Sequence, residues 1–127
     1  MKLQTIQFGE VEFDDGIILS FSDGIIGFEN LKKYVLLSQE DELFFWLTSV
    51  EEPEIVFPLF PVRLLMNDFE EKDEVVAYGI VKLDKNPAEI TVNLKAPVYV
   101  NQTEKTGTQK IFDNDDYPID YKLFVEN

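Results

Sequence analysis

A mainly β fold, a small antiparallel β-barrel or sandwich with one or two short helices, follows from three features of the sequence. Eight or more short apolar stretches recur along the 127 residues with turn residues between them, the rhythm of antiparallel β architectures. From Ile90 to Asn101 the alternation is strict: Ile90, Val92, Leu94, Ala96, Val98 and Val100 are apolar, with Thr91, Asn93, Lys95, Pro97, Tyr99 and Asn101 between them. That period places one face in a core and turns the other toward water or a partner. Leu43 to Leu47 is the densest apolar run and does not alternate, which marks a strand buried on both faces. The length suits one domain, residues 1–127, because two ordinary cores would need a longer chain. Eleven Phe, five Tyr and one Trp provide an aromatic-rich interior.

Taken in order, Ile6 and Phe8 alternate in one phase and Val11 and Phe13 in the other, with Gly9 and Glu10 between them. Such a slip around a Gly predicts a β-bulge. Asp15-Gly16 separates Val11–Phe13 from Ile17–Phe21, a two-residue hairpin signal. Glu29 to Lys33 suits one helical turn, and Tyr34 to Leu37 a strand closed by the acidic loop Gln39–Glu42. Trp46 lies in the dense apolar run, a context that favours core packing over an interface role. Ile55–Phe57 forms a short strand; Pro58 and Pro61 argue against a continuous central strand there. Val62 to Glu74 mixes Leu64, Leu65 and Phe69 with five acids, the pattern of a short amphipathic helix. Val75 to Leu83 is a strand apolar in both phases, and Asn86-Pro87 turns the chain into the Ile90 stretch. Gln102–Thr108 is a hairpin loop, Gln109–Phe112 the returning strand, and Tyr121–Val125 a last short element. Pro97, which lacks an N–H, belongs at an edge or a bulge, and an interrupted edge is a place for another chain to add a strand.

Twenty-five acids against eleven bases leave a net charge of −14, and the first 30 residues alone hold six acids and one base. This field repels nucleic acid and anionic membrane and attracts basic partners. The sequence has no Cys and no His, which excludes disulfides, thiolate or imidazole metal sites, and Ser-His-Asp or Cys-His catalysis. Neither a secretory signal nor a membrane-length apolar run is present, and a cytoplasmic location is expected. Asp113-Asn114-Asp115-Asp116 has the oxygen ligands calcium wants, but Tyr117 and Pro118 fall where a calcium loop needs others. The same holds for the acidic loops at 40–42 and 51–54 as acidic turns. No phosphate-binding Gly loop is present. The expectation is therefore no enzyme, no cofactor and no metal. A small β-barrel lectin or enzyme using clustered carboxylates, and an acidic mimic of nucleic acid, are the alternatives.

Thr91 to Asn101, T-V-N-L-K-A-P-V-Y-V-N, followed by Gly107, Gln109 and Asp116-Tyr117-Pro118, resembles the C-terminal signature of the flagellar assembly factor FliW family. Phe21 to Glu29 is similar to its F-x-x-G-I-x-G-F segment, and Phe45-Trp46-Leu47 with Ser49 and Pro53 to its F-x-W-L-x-S-x-x-x-P block. Around Gly107 the chain has Lys105, Thr106 and Thr108 where relatives tend to carry Arg. The resemblance implies a non-enzymatic β-barrel regulator. It would bind flagellin in the cytoplasm and, alternately, the translational repressor CsrA, antagonising repression of flagellin mRNA without occupying the repressor's RNA site directly; the net charge of −14 argues against nucleic-acid contact of its own. Partner contacts are expected on the outward face of the alternating strand and its hairpin, at Asn93, Lys95, Tyr99, Asn101 and Gln109.

Overall fold

The computed structural model describes residues 1–124, so Val125, the end of the expected last element, lies outside the described residues. Among the described residues ten strands form: β1 (Lys2–Thr5), β2 (Gly9–Glu12), β3 (Leu19–Ser20), β4 (Lys33–Leu37), β5 (Phe45–Ser49), β6 (Val56–Pro61), β7 (Val75–Lys82), β8 (Thr91–Asn101), β9 (Thr106–Gln109) and β10 (Tyr121–Lys122). β1 and β2 make a separate hairpin. β3 to β9 close into a seven-stranded barrel: from β3 through β8 each strand pairs antiparallel with the next, β9 pairs antiparallel with β8, and β9 meets β3 in parallel through Thr106 and Ser20. β10 adds to β8 outside the ring. The barrel alternative is thus the correct one, and closure leaves the ring without a free edge.

The helical expectations reduce to three short 3-10 turns, at Asp15–Ile17, Val62–Leu64 and Pro87–Glu89. Residues 29–33 form no helix; the Leu31 amide bonds to the Phe28 carbonyl in a turn that feeds β4. The Val62–Glu74 segment leaves helical geometry after Leu64, because Phe69 is drawn into a packed cluster and Glu71 to a strand edge, as described below. At the N-terminus, the phase change is a chain reversal rather than a bulge: Thr5 pairs with Gly9, and the Thr5 hydroxyl donates to the Gly9 carbonyl and accepts the Phe8 amide across the turn. Asp15-Gly16 lies in a 3-10 turn capped by the Asp14 carboxylate, so β2 and β3 form no hairpin.

β6 is a central strand despite its two prolines. Its ladder to β5 runs over Val56–Leu59 and its ladder to β7 over Leu59–Pro61. The Ser49 amide bonds to the Ile55 carbonyl, and the alternation of an antiparallel ladder then points the Pro58 nitrogen away from β5, toward a side where pairing starts one residue later. The Pro61 nitrogen faces β5 beyond that strand's end. Neither ring removes a ladder bond. β5 is buried from Trp46 to Ser49, as the dense run implies, while Leu43 stays outside it and is exposed. Trp46 is buried, and its indole N–H donates to Glu42 at 3.2 Å.

The molecule has two cores. Leu19, Phe21, Tyr34, Leu47, Leu59, Tyr78, Val98 and Val100 pack inside the barrel. Phe60, Val62, Phe69, Ala77, Val81, Val92 and Leu94 pack on the outer side of β6–β8, under the C-terminal segment. The strict alternation of β8 therefore serves two cores rather than one face. Between Tyr78 and Ile80 of β7 the register shifts, so that the stretch from Leu94 to Pro97 bulges opposite Gly79. The bulge reverses the phase: Val92 and Leu94 face outward, Val98 and Val100 inward. A Cβ on Gly79 would lie 2.3 Å from Val92 Cγ1, so only Gly admits this approach. Pro97 sits at a bulge, but the free edge does not exist: β9 and β10 flank β8, and the amides of Lys110 and Phe112 bond to the Pro97 and Lys95 carbonyls between them. Strand addition at this position has no vacant ladder. Among the described residues no helix is long and apolar enough to cross a membrane.

Candidate functional site: an open groove beside β7 and β8

β7 outruns β6. The β6 ladder ends at Pro61 opposite Tyr78, so Val75 to Ala77 are paired by β8 on one side only. The chain from Leu65 to Glu74 returns to supply the missing partners. Glu71 Oε2 accepts the Ala77 amide at 2.6 Å, and the Lys72 carbonyl accepts the Val75 amide at 3.1 Å. The Glu71 side chain is only 10% exposed, and its other oxygen lies 3.6 Å from the exposed Arg63 guanidinium. One carboxylate thus stands in for a strand.

Phe69 anchors the same segment. It is buried, edge-on to Phe112 and Tyr117 at 6.2 and 5.6 Å, and nearly parallel to Tyr99 at 6.4 Å. Between this segment, pinned at Phe69 and Glu71, and the β8–β9 pair lies an open groove of about 690 Å³, within the range of about 300–1,000 Å³ that binding pockets occupy. Tyr99, Val75 and Phe69 line it together with Thr108 and Lys110, and the charged residues around it balance, Arg63, Lys72 and Lys110 against Asp68, Glu70 and Glu71. Lys110 Nζ lies 5.2 Å from the Tyr99 ring centre, a cation–π contact. The Tyr99 hydroxyl titrates above its ordinary value, first because of burial and then because Tyr117 and Glu71 lie nearby. A shallower lobe continues past Glu74 to Gln102 and Thr103. Glu74 itself is left-handed at φ 66°, a strained position for a residue with a side chain.

The five residues expected to contact partners are not brought together. Asn93 Oδ1 accepts the Lys95 and Ala96 amides and so caps the bulge. Lys95 reaches Asp115 at 3.4 Å. Asn101 Oδ1 accepts the Glu104 amide and closes the β8–β9 turn, which spans only residues 102–105 rather than 102–108. Gln109 accepts the Ile26 amide and donates to the Ala96 carbonyl. Of the five, Tyr99 alone lines the groove. Arg63, Phe69, Val75, Thr108 and Lys110 join it there, and sequence reasoning missed them. The available signal was Pro61, which stops β6 well short of where the apolar run at Val75 begins.

The acidic segments are structural where they are engaged. Glu51 Oε1 accepts the amides of both Lys32 and Lys33, and these bonds hold its carboxyl below the usual range. Asn114 caps the turn of 113–116 through the Asp116 amide. Among the described residues no three carboxylates gather as a metal site.

Fold and groove define a small closed β-barrel with a strongly acidic surface and an amphipathic cleft outside the ring. The family model described as FliW protein matches residues 2–123. The flagellar assembly factor FliW of Caldicellulosiruptor saccharolyticus is 34% identical, with 92% of this chain and 86% of the relative covered. That of Carboxydothermus hydrogenoformans is 36% identical, with 97% and 89% covered. A crystal structure of the flagellar assembly factor FliW superposes with a TM-score of 0.89 at 28% identity, covering 100% of this chain and 99% of the other. The chain belongs to the FliW family.

Proposed function

We propose that this protein is a non-enzymatic regulator of flagellar assembly that binds flagellin in the cytoplasm and, when flagellin has been exported, binds a CsrA-type translational repressor and relieves its hold on flagellin mRNA. The observation that carries this reading is the match to FliW over residues 2–123, in sequence and in fold. Two physical features support it. The net charge of −14 attracts a protein whose surface must be basic to hold RNA phosphates, and repels the RNA itself. The groove beside β8 includes Phe69 and Tyr99 in its lining, aromatic residues of the kind that carry binding energy at protein interfaces.

Titration calorimetry with the cognate flagellin and repressor tests it. Saturable heat with each, and displacement of one by the other, is the expected result; no heat with either overturns it. The acidity also favours general mimicry of nucleic acid. That reading predicts equal binding to unrelated basic proteins, whereas the regulator selects its own partners.

A further inference from the structure

Two segments cover the outer core, and they are attached in different ways. The C-terminal one is laced to β8. The Leu94 amide bonds to the Pro118 carbonyl, the Leu123 amide to the Ile90 carbonyl, and the Lys110 and Phe112 amides to the Pro97 and Lys95 carbonyls, while β10 pairs at Val92 and Thr91. The other segment is rooted at one end only: the Leu65 and Met66 amides bond to the Val62 carbonyl, and both side chains pack half-buried against the outer core. From Asn67 to Glu74 the lacing stops. The backbone bonds there are local turns, from the Phe69 amide to Met66 and from the Val75 amide to Lys72. Asn67, Asp68, Glu70, Lys72, Asp73 and Glu74 are all exposed, and none of their side chains makes an ion pair among the described residues. Two side chains hold the stretch down, the buried Phe69 ring and the Glu71 carboxylate on the Ala77 amide at 2.6 Å.

We propose that Asn67–Glu74 is a latch-held strap that opens as a unit while the barrel and the C-terminal segment stay in place, with Glu71 as its latch. Two attachments oppose the backbone freedom that the whole stretch regains on release. The Arg63–Glu71 pair adds little to them, because the guanidinium is exposed. Glu74, left-handed at φ 66°, is the pivot at the far end, and release relaxes a conformation that a residue with a side chain adopts at a cost. The body does not need the strap: when Phe69 leaves, Phe112 and Tyr117 still pack on each other at 4.8 Å. Closed, the strap satisfies the Ala77 amide and covers a face of the Tyr99 ring. Open, it bares that ring and leaves the β7 edge from Val75 to Ala77 unpaired, on the side where β6 has already ended at Pro61. The strap therefore switches this wall of the protein between a finished surface and a free strand edge.

The test is native-state hydrogen exchange of the ¹⁵N-labelled free protein, followed amide by amide. The Phe69, Val75 and Ala77 amides should share one opening equilibrium, at least about tenfold more populated than that reported by Leu94 and Phe112 in the C-terminal lacing or by Leu47 and Val98 in the barrel. Glu71→Ala should raise exchange at Phe69 and Val75 by about tenfold or more and leave those four reference amides unchanged. Phe69 and Val75 are the decisive readouts, because the substitution removes neither of their own hydrogen bonds. Glu71→Gln, which keeps an oxygen for the Ala77 amide, should raise exchange there by less than Glu71→Ala does. Exchange of Phe69 and Val75 only in step with Leu47 and Val98 would show that the stretch opens with global unfolding and overturns the strap. Exchange in step with Leu94 and Phe112 would make the whole outer cover one unit and overturns it equally. Acceleration at Ala77 alone in Glu71→Ala overturns the latch.

Discussion

Tyr34 is the residue at which the barrel interior departs from full polar satisfaction. Its ring is fully buried, 5.1 Å from Phe21 edge-on and 6.2 Å from Phe57, so its packing suits Phe as well as Tyr. Its hydroxyl has no hydrogen-bond partner among the described residues. An unpaired buried hydroxyl carries its desolvation cost without return, on the order of 1 kcal/mol or more. Tyr34→Phe should therefore stabilise the protein by about 1 kcal/mol, raising Tm by about 4 °C at neutral pH. A fall in Tm would show that the hydroxyl is bonded in solution. The pH dependence follows from the same burial, which, with Glu51 second, pushes the Tyr34 hydroxyl up to about 12 from 10. Below the ordinary value the group is neutral in both folded and unfolded chains. Between about 10 and 12 the unfolded chain ionises first, so the wild type loses stability through that window and Tyr34→Phe does not lose this part. The gap between the two proteins, measured by denaturant unfolding, should widen as pH rises.

At the scale of elements, barrel closure depends on β9 lying close against β3. A Cβ on Gly107 would lie 2.1 Å from Cζ of Phe21, and Phe21 is fully buried at the centre of the interior. Gly107→Ala must push that ring out of place or open the β8–β9–β3 seam. A destabilisation of about 2–3 kcal/mol is expected from such overpacking, and Phe21→Leu should reduce the penalty of the Ala substitution, a coupling that thermal unfolding of the two single variants and the double variant would measure. Additivity would place the cost elsewhere. This contact also explains what the sequence does and does not disclose. Gly107, Gln109, Gly24–Phe28 and Thr91–Asn101 are readable as a family signature because they meet: Gln109 joins the Ile26 amide to the Ala96 carbonyl, and Gly107 receives Phe21. They report closure of the barrel. Strand periods and the bulge at Pro97 are local and were legible. The reversal of phase at that bulge depends on Gly79 and on Asn93, which only the paired β7 and β8 bring into play. β6 survived its prolines through a staggered pairing that no single strand displays. The groove was hidden for the same reason, since it exists where one strand stops before its neighbour.

For the whole molecule, the decisive property is charge carried on a surface whose groups are mostly unpaired. Five ion pairs at 3.4 to 3.9 Å are present among the described residues, and one uses the N-terminal amine; most of the other described acids are exposed, and a few accept a backbone amide or, at Glu42, the Trp46 indole N–H. Exposed pairs of this kind contribute little to stability, so the charge must be weighed for its effect on encounter rather than on the fold. A net −14 extends over a Debye length of about 8 Å in physiological salt and shrinks as salt is added. Association with a basic repressor should therefore be fast at low ionic strength and fall by about tenfold or more as ionic strength rises from about 0.05 to 0.5 M. Dissociation should change much less, because close-range contacts rather than the long-range field retain a partner once it has docked. Stopped-flow association and dissociation rates across that salt series separate the two effects. An association rate indifferent to salt would remove steering from the account of this protein, and a dissociation rate that rises in step with salt would mean that charge, not close apolar packing, holds the partner.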